Sequence, residues 1–256
     1  DCTCGAPKLF SIMNCSHQLG CQSSMKAFLK AAIVFYLVIY ESFAAAQHAA
    51  EFTANYRASA NGLGASALRK LEILDGGLYQ LSNSLEAMFA GQVIARLSQT
   101  SEFYLNSHQL IPHSYDYLLS GISTRTTAIS YDWDAGIAAS SNNDESWSIK
   151  LVSGVMDDLS HQFALRLRIQ RGETENLEFE LIDEDEIEVN RYRLLGKEIL
   201  NTTLGRLNST QFELLQTESS QRTTKIWLAD DWQYLLIKIE QEDQSGLHIK
   251  LELENA

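Results

Sequence analysis

No cysteine occurs beyond residue 21 of this 256-residue chain: Cys2, Cys4, Cys15 and Cys21 are the only four. Whatever folds from the rest needs no disulfide, has no thiol nucleophile and offers no cysteine for lipid attachment. Proline is nearly absent as well, with Pro7 and Pro112 alone, and no Gly/Ser tract marks a linker. One compact domain is expected. Basic residues are also scarce. The whole chain has 20 Lys and Arg against 33 Asp and Glu, and from residue 47 onward 17 stand against 31, a net charge of −14. Phosphate backbones and anionic bilayers attract positive charge. The composition therefore argues against nucleic acid as a partner and against electrostatic adhesion to a membrane.

There is one long apolar run. Lys26 and Lys30 precede the uncharged Ala31–Tyr40, and Ala44-Ala45-Ala46 supplies small residues after it. That order is the layout of a secretory signal peptide. A spanning helix needs about 20 apolar residues, and Lys30 and Glu41 interrupt this run too soon. We therefore expect a signal over 25–46, cleaved after Ala46, and a free periplasmic protein over 47–256 with no membrane span after cleavage. Residues 1–24 then read as upstream translated sequence, with Met25 as the start. The cysteines they carry, even with His17 nearby, match no common zinc spacing.

From residue 50 the dominant period is two, the alternation of a half-buried strand. In LHIKLELE (247–254) Leu247, Ile249, Leu251 and Leu253 oppose His248, Lys250, Glu252 and Glu254. LLIKIEQE (235–242), RKLEI (69–73) and LEFEL (177–181) alternate likewise, setting Leu235, Ile237 and Ile239, or Leu71 and Ile73, on one side. Asp75-Gly76-Gly77, Asp134-Ala135-Gly136, Ser141–Asp144, Asp183–Glu186 and Gln244-Ser245-Gly246 read as turns. The expectation is a mainly β, antiparallel meander of about ten strands.

One stretch departs from this. In MDDLSHQFALRLRIQRG, Leu159, Phe163 and Leu167 recur every four residues, Asp157 or Asp158 can cap, and Arg171-Gly172 can terminate. A helix over 158–170 is expected. About ten strands at ~4.8 Å make a sheet roughly 48 Å wide, whereas a helix is about 10–12 Å across. One helix cannot cover an apolar face of that width. The sheet must curl into a barrel (complete or incomplete), fold on itself, or leave an apolar trough.

AEFTANYRA (50–58), SGVMDDLS (153–160), Leu194-Leu195-Gly196-Lys197-Glu198 and KIWLADDWQYLLIKIE (225–240) together resemble a bacterial exported-protein family, domain of unknown function 3108. The resemblance spans nearly all of 50–256 and implies an exported β-rich fold with no established catalytic residues. Where the family often has proline after the last tryptophan-bearing hairpin, this chain has Leu236, which implies a strand paired along that stretch.

No catalytic or metal-binding set stands out, and no cofactor is expected. Ser160 and His161 are adjacent, so on a helix their side chains diverge by ~100°; with Asp157 and Asp158 they suit capping better than hydrolysis. His108 and His113, with Asp116 nearby, lack a metal-binding spacing. IDEDEIEV (182–189) lacks the glycine and spacing of a calcium loop and reads as a solvated turn. In Lys225-Ile226-Trp227-Leu228-Ala229 both faces are apolar, so that strand should be buried on both sides. The expected role is a non-enzymatic carrier for a lipid or another apolar or amphipathic ligand, with Phe163, Leu167 and Trp227 as candidate ligand-binding residues. Two alternatives stay open: a ligand-free envelope-protein interaction module, and an enzyme whose site is dispersed over several strands.

Overall fold

The structure is a computed structural model and describes residues 50–106, 109–121, 123–215 and 222–256. The expected signal segment, the four cysteines and His108 lie outside the described residues.

Among the described residues the fold has fourteen strands and one α-helix. Eight strands come first: β1 (Phe52–Ala60), β2 (Leu63–Ile73), β3 (Leu78–Phe89), β4 (Gln92–Leu105), β5 (Leu110–Gly121), β6 (Arg125–Asp132), β7 (Ile137–Asn142) and β8 (Glu145–Lys150). The helix α1 (Ser160–Gln170) follows, and then β9 (Leu177–Asp183), β10 (Glu186–Thr202), β11 (Gly205–Leu215), β12 (Arg222–Ala229), β13 (Leu235–Asp243) and β14 (His248–Asn255). All pair antiparallel in one sheet, ordered β8 to β1 and then β14 to β9. Each strand therefore lies beside its sequence neighbour, and β1 joins β14. Only the two edges, β8 and β9, are not paired with each other, and the connection between them carries the helix.

The sheet curls nearly closed around that helix. One buried cluster draws Leu71, Phe103, Ile129 and Ile149 from the first half of the sheet. It draws Leu177, Phe179, Phe212 and Leu228 from the second half, and Leu159, Phe163, Ala164 and Ile169 from the helical segment. At the seam, Met156 bridges in parallel to Leu181, donating its N–H to Glu180 and accepting from Ile182. Glu184, in the β9–β10 turn, reaches Arg125 and Asn142 on the far side of the gap. These contacts cover an edge that would otherwise present unpaired backbone groups.

The helix forms where its capping residues dictate. Asp157 Oδ1 accepts from the N–H groups of Leu159 and Ser160, at 2.9 and 2.7 Å. Ser160 Oγ in turn accepts from the Asp157 N–H at 3.1 Å. This is a reciprocal capping box in which serine takes the place usually held by Glu or Gln. At the far end Gly172 adopts φ 82°, and the Gly172 and Glu173 N–H groups bond back to Ile169 and Arg168, a Schellman end.

Two expectations are corrected, the strand number and the β13 faces. There are fourteen strands rather than about ten; the two-residue turns Asn61-Gly62, Ala90-Gly91 and Thr203-Leu204, not among those expected from the sequence, join six of them. The helix lies where expected: with Asp157 as its cap, Asp158 and Leu159 enter the first turn ahead of Ser160–Gln170. A register shift between Trp227 and Leu228 sets Trp227 opposite Lys238 and Leu228 opposite Leu236. Leu235 and Ile237 consequently join a second cluster with Trp227, while Ile239 pairs with Ile226. Leu236 is paired as expected, and β13 lies between β12 and β14.

Candidate functional site

Registered pairing across β2–β7 lays inward-facing residues in transverse rows. Leu71, Leu81, Ser101, Tyr115, Ile129 and Ser140 lie directly opposite one another in succession, and all are buried. Two residues along each strand the same face recurs. The next row is Arg69, Asn83, Gln99, Tyr117, Thr127 and Asn142. Every member of it is polar. One step further come Ala67, Leu85, Leu97 and Leu119, and beyond these Ala65, Ala87, Ala95 and Gly121. Apart from the exposed Gly121, these last two rows are half-buried rather than buried.

The interior is therefore layered. A dry core surrounds the helix, a polar belt lies over it, and apolar walls continue toward an open end. The β3–β4 hairpin extends past that end, and at its tip Met88, Phe89 and Val93 are exposed, Phe89 by 65%.

The helix presents different faces to these layers. Leu159 and Phe163 point into the core, where the Phe163 ring lies 5.4 Å from that of Phe103. Asp158, Gln162 and Arg166 recur every four residues on another face. Gln162 Oε1 accepts from Arg69 Nη1 at 2.9 Å, and Asp158 Oδ2 accepts from Gln99 Nε2 at 3.3 Å. Asp158 is nevertheless exposed, so the belt has a solvated end.

Hydrogen-bond direction along the belt follows from Asp158. A carboxylate only accepts, so Gln99 must turn its amide nitrogen toward it. Gln99 Oε1 is then left to accept from Asn83 Nδ2, at 3.3 Å. That fixes the Asn83 amide and leaves its Oδ1 buried with no partner. Its cross-strand neighbour is Arg69. Arg69 is only 8% exposed, and among the described residues no carboxylate lies within 4.0 Å of its guanidinium. Burial pulls its pKa below the usual arginine range. Arg166 is similar: burial, then repulsion from Arg69, lowers its pKa to about 10. It donates to the Gln233 carbonyl at 2.7 Å and lies over the rings of Phe52 and Phe163.

Beneath the belt two buried titratable groups support the helix. Asp157 is fully buried, and loss of solvation raises its carboxyl to about 6 despite the donors around it. His161 is held between Tyr192 Oη, 2.9 Å from Nε2, and the Asp157 carbonyl, 3.2 Å from Nδ1. A carbonyl cannot donate, so Nδ1 carries the proton and Nε2 accepts from Tyr192. Burial lowers the His161 pKa, consistent with the neutral ring. Ser160 Oγ turns to the Asp157 carboxylate while His161 faces the Asp157 backbone carbonyl and Tyr192, so Ser160 and His161 do not bond each other and Asp157 and Ser160 serve as the cap.

The candidate ligand-binding residues separate. Phe163 is buried in the core, and Leu167 is half-buried against the same cluster. Trp227 lies on the opposite face of its strand from Ile226 and Leu228, in the second cluster. There its Nε1 donates to Glu198 and Lys238 sits 4.3 Å from the ring centroid. The structure thus does not bring Trp227 together with the helix pair. His113 is exposed beside Tyr104, and IDEDEIEV includes the β9–β10 turn.

Sequence reasoning passed over Arg69, Asn83 and Gln99. The signal was present: Arg69 shares the parity of Leu71 and Ile73, Asn83 that of Leu81 and Leu85, and Gln99 that of Leu97 and Ser101. Each is a polar residue on an apolar face. Only the pairing register shows that they are neighbours.

These features define a nearly closed, antiparallel barrel-like protein with an internal helix and a polar belt below an open end. The chain belongs to the family of proteins of unknown function DUF3108, whose model matches residues 79–254. The fold is similar to a crystal structure described as a beta-barrel-like protein of domain of unknown function DUF1849 from Brucella abortus. That likeness has a TM-score of 0.51 at 8% identity and covers 79% of this chain and 95% of the other. No curated protein matches the sequence.

Proposed function

We propose that this protein is exported through the signal at 25–46 and acts in the periplasm as a non-enzymatic carrier of an apolar or amphipathic ligand. The ligand would lie between the apolar walls at the open end of the barrel, above the polar belt. The observation that carries this reading is the pair of inward rows Ala67–Leu85–Leu97–Leu119 and Ala65–Ala87–Ala95, left half-buried. A protein interior is ordinarily filled to close packing, and apolar walls above a polar belt suit an apolar chain with a polar end. Phe163 and Leu167 then act indirectly, by holding the floor, and Trp227 anchors the second cluster, against which Ala67 packs.

The test is titration of the purified protein, expressed with its complete sequence, with a fluorophore that brightens in apolar surroundings. Saturable brightening that Leu97→Arg weakens by at least about tenfold, with the unfolding midpoint retained, is the expected result. Equal binding by the variant would overturn the placement of the site. A second reading, an interaction module without ligand, is favoured by the exposed Met88, Phe89 and Val93 at the β3–β4 tip. It predicts no saturable brightening at all.

A further inference from the structure

Arg69 and Asn83 are cross-strand partners on the inward face, so their Cβ atoms are about 4.5–5.5 Å apart. Together they present two unmet needs. The guanidinium has five N–H donors but one hydrogen-bonded acceptor, the neutral Gln162 Oε1, and among the described residues no carboxylate touches the charge, Asp158 acting on it only from a distance. Asn83 Oδ1 needs a donor, and the chain Asn83–Gln99–Asp158 prevents the amide from being turned to hide it.

A buried charge is costly unless it is paired and hydrogen-bonded, and so is an unmatched buried acceptor. Both needs point to one kind of chemical group: an anionic oxygen for Arg69 with an O–H or N–H donor beside it for Asn83. The neighbourhood permits this. Arg166 adds a second positive charge on the helix face toward the belt, against one exposed carboxylate, Asp158, whose Oδ2 already accepts from Gln99 and whose backbone carbonyl accepts from Gln162 Nε2. The chain's large negative net charge acts through solvent and is screened within about 10 Å at ordinary ionic strength.

We propose that the ligand is an amphipathic anion. Its acidic headgroup would be anchored by Arg69, a hydroxyl or amide N–H next to the acid would donate to Asn83 Oδ1, and its apolar chain would run up between Ala67, Leu85 and Leu97. This rests on the carrier reading above and specifies the chemical class that it takes. An acyl chain ending in an N-acyl amino acid or a hydroxy acid meets all three requirements; a plain alcohol offers a donor and an apolar chain but no charge for Arg69, and an uncharged ester meets only the last.

The test compares three probes of equal chain length by calorimetric titration of the complete protein: N-dodecanoylglycine, dodecanoate and 1-dodecanol. N-dodecanoylglycine should bind most tightly and 1-dodecanol most weakly. Arg69→Met should weaken both acids by about ten- to a hundredfold, the range for losing a charge-assisted hydrogen bond, while leaving 1-dodecanol unchanged. Asn83→Leu should remove the advantage of the N-acyl acid over dodecanoate. Equal affinity of the parent for all three probes would overturn the headgroup assignment and leave the carrier reading standing; that arm requires no variant to fold. No binding of any probe would overturn both. Weakening of all three probes alike by Arg69→Met would show that Arg69 is structural only, with water meeting its needs, and would also overturn the assignment.

Discussion

Ser101 Oγ donates to Asp157 Oδ2 at 2.9 Å, and both residues are completely buried. A serine in the middle of β4 thereby holds the carboxylate that starts the helix, so the sheet wall and the helix cap are one hydrogen-bonded unit. Removing the carboxylate should be felt at both. Asp157→Ala is expected to cost at least the ~0.5–2 kcal/mol of a lost cap, and more because the Ser101 hydroxyl is left unmatched in the core. Urea unfolding at neutral pH measures it.

The same residue gives a pH dependence of definite sign. The folded carboxyl, raised to about 6 from 3.8 by burial, holds a proton that the unfolded chain releases. Between about pH 4 and 6 the native state binds more protons, so the Asp157 contribution to stability falls as pH rises through that window and is level above it. Asp157→Asn keeps an acceptor for the cap and cannot ionise. Subtracting the unfolding free energies of this variant from those of the parent at pH 4.5, 5.5 and 7 should give a difference that declines with pH.

His161 acts with the opposite sign. Its pKa is lowered by burial, so the unfolded chain takes up a proton that the folded ring refuses, and its contribution is lost as pH falls below about 6.5. Tyr192→Phe leaves Nε2 without a donor and should cost about 1–3 kcal/mol at pH 7, read from denaturant midpoints. An imidazole NMR titration of the folded protein should show His161 neutral at pH 6.5.

Phe163 is a support of the floor. Phe163→Ala should cost about 3–5 kcal/mol, and Leu167→Ala, at a half-buried position, less than the ~2–5 kcal/mol of a fully buried leucine. Calorimetric melting orders the two. A stable Phe163→Ala protein would contradict the packing of this ring on Phe103.

Gly121 ends β5 at φ +114°, and a Cβ there would meet the Ile94 carbonyl oxygen at 2.2 Å. No side chain fits without moving backbone. Gly121→Ala should cost more unfolding free energy than the ~1–3 kcal/mol of a strained dihedral alone, read as a lowered melting temperature; an unchanged melting temperature would show that the β4 backbone yields.

Much of this molecule is legible in its sequence. Alternation in RKLEI, LEFEL and LHIKLELE identifies strands because one face of each meets apolar neighbours and the other meets water. The four-residue recurrence of Leu159, Phe163 and Leu167, framed by Asp157 and Gly172, identifies the helix because capping is local chemistry. What failed was also physical. Asn61-Gly62 turns with both residues at positive φ, a tight form favoured in hairpins, yet Ala90-Gly91 makes a similar turn with an alanine that gives little warning.

Alternation is a property of one strand, so the sequence by itself determined an antiparallel β protein with one inserted helix, and which residues share a face within each strand. Register is a property of two strands and closure a property of all of them, so both wait on the tertiary structure. The shift at Trp227 moved Leu235 and Ile237 to another cluster, and only pairing β2 with β3 and β4 made neighbours of Arg69, Asn83 and Gln99. The polar belt exists because residues far apart along the chain arrive at one height on a curled sheet, a coincidence that no local periodicity encodes.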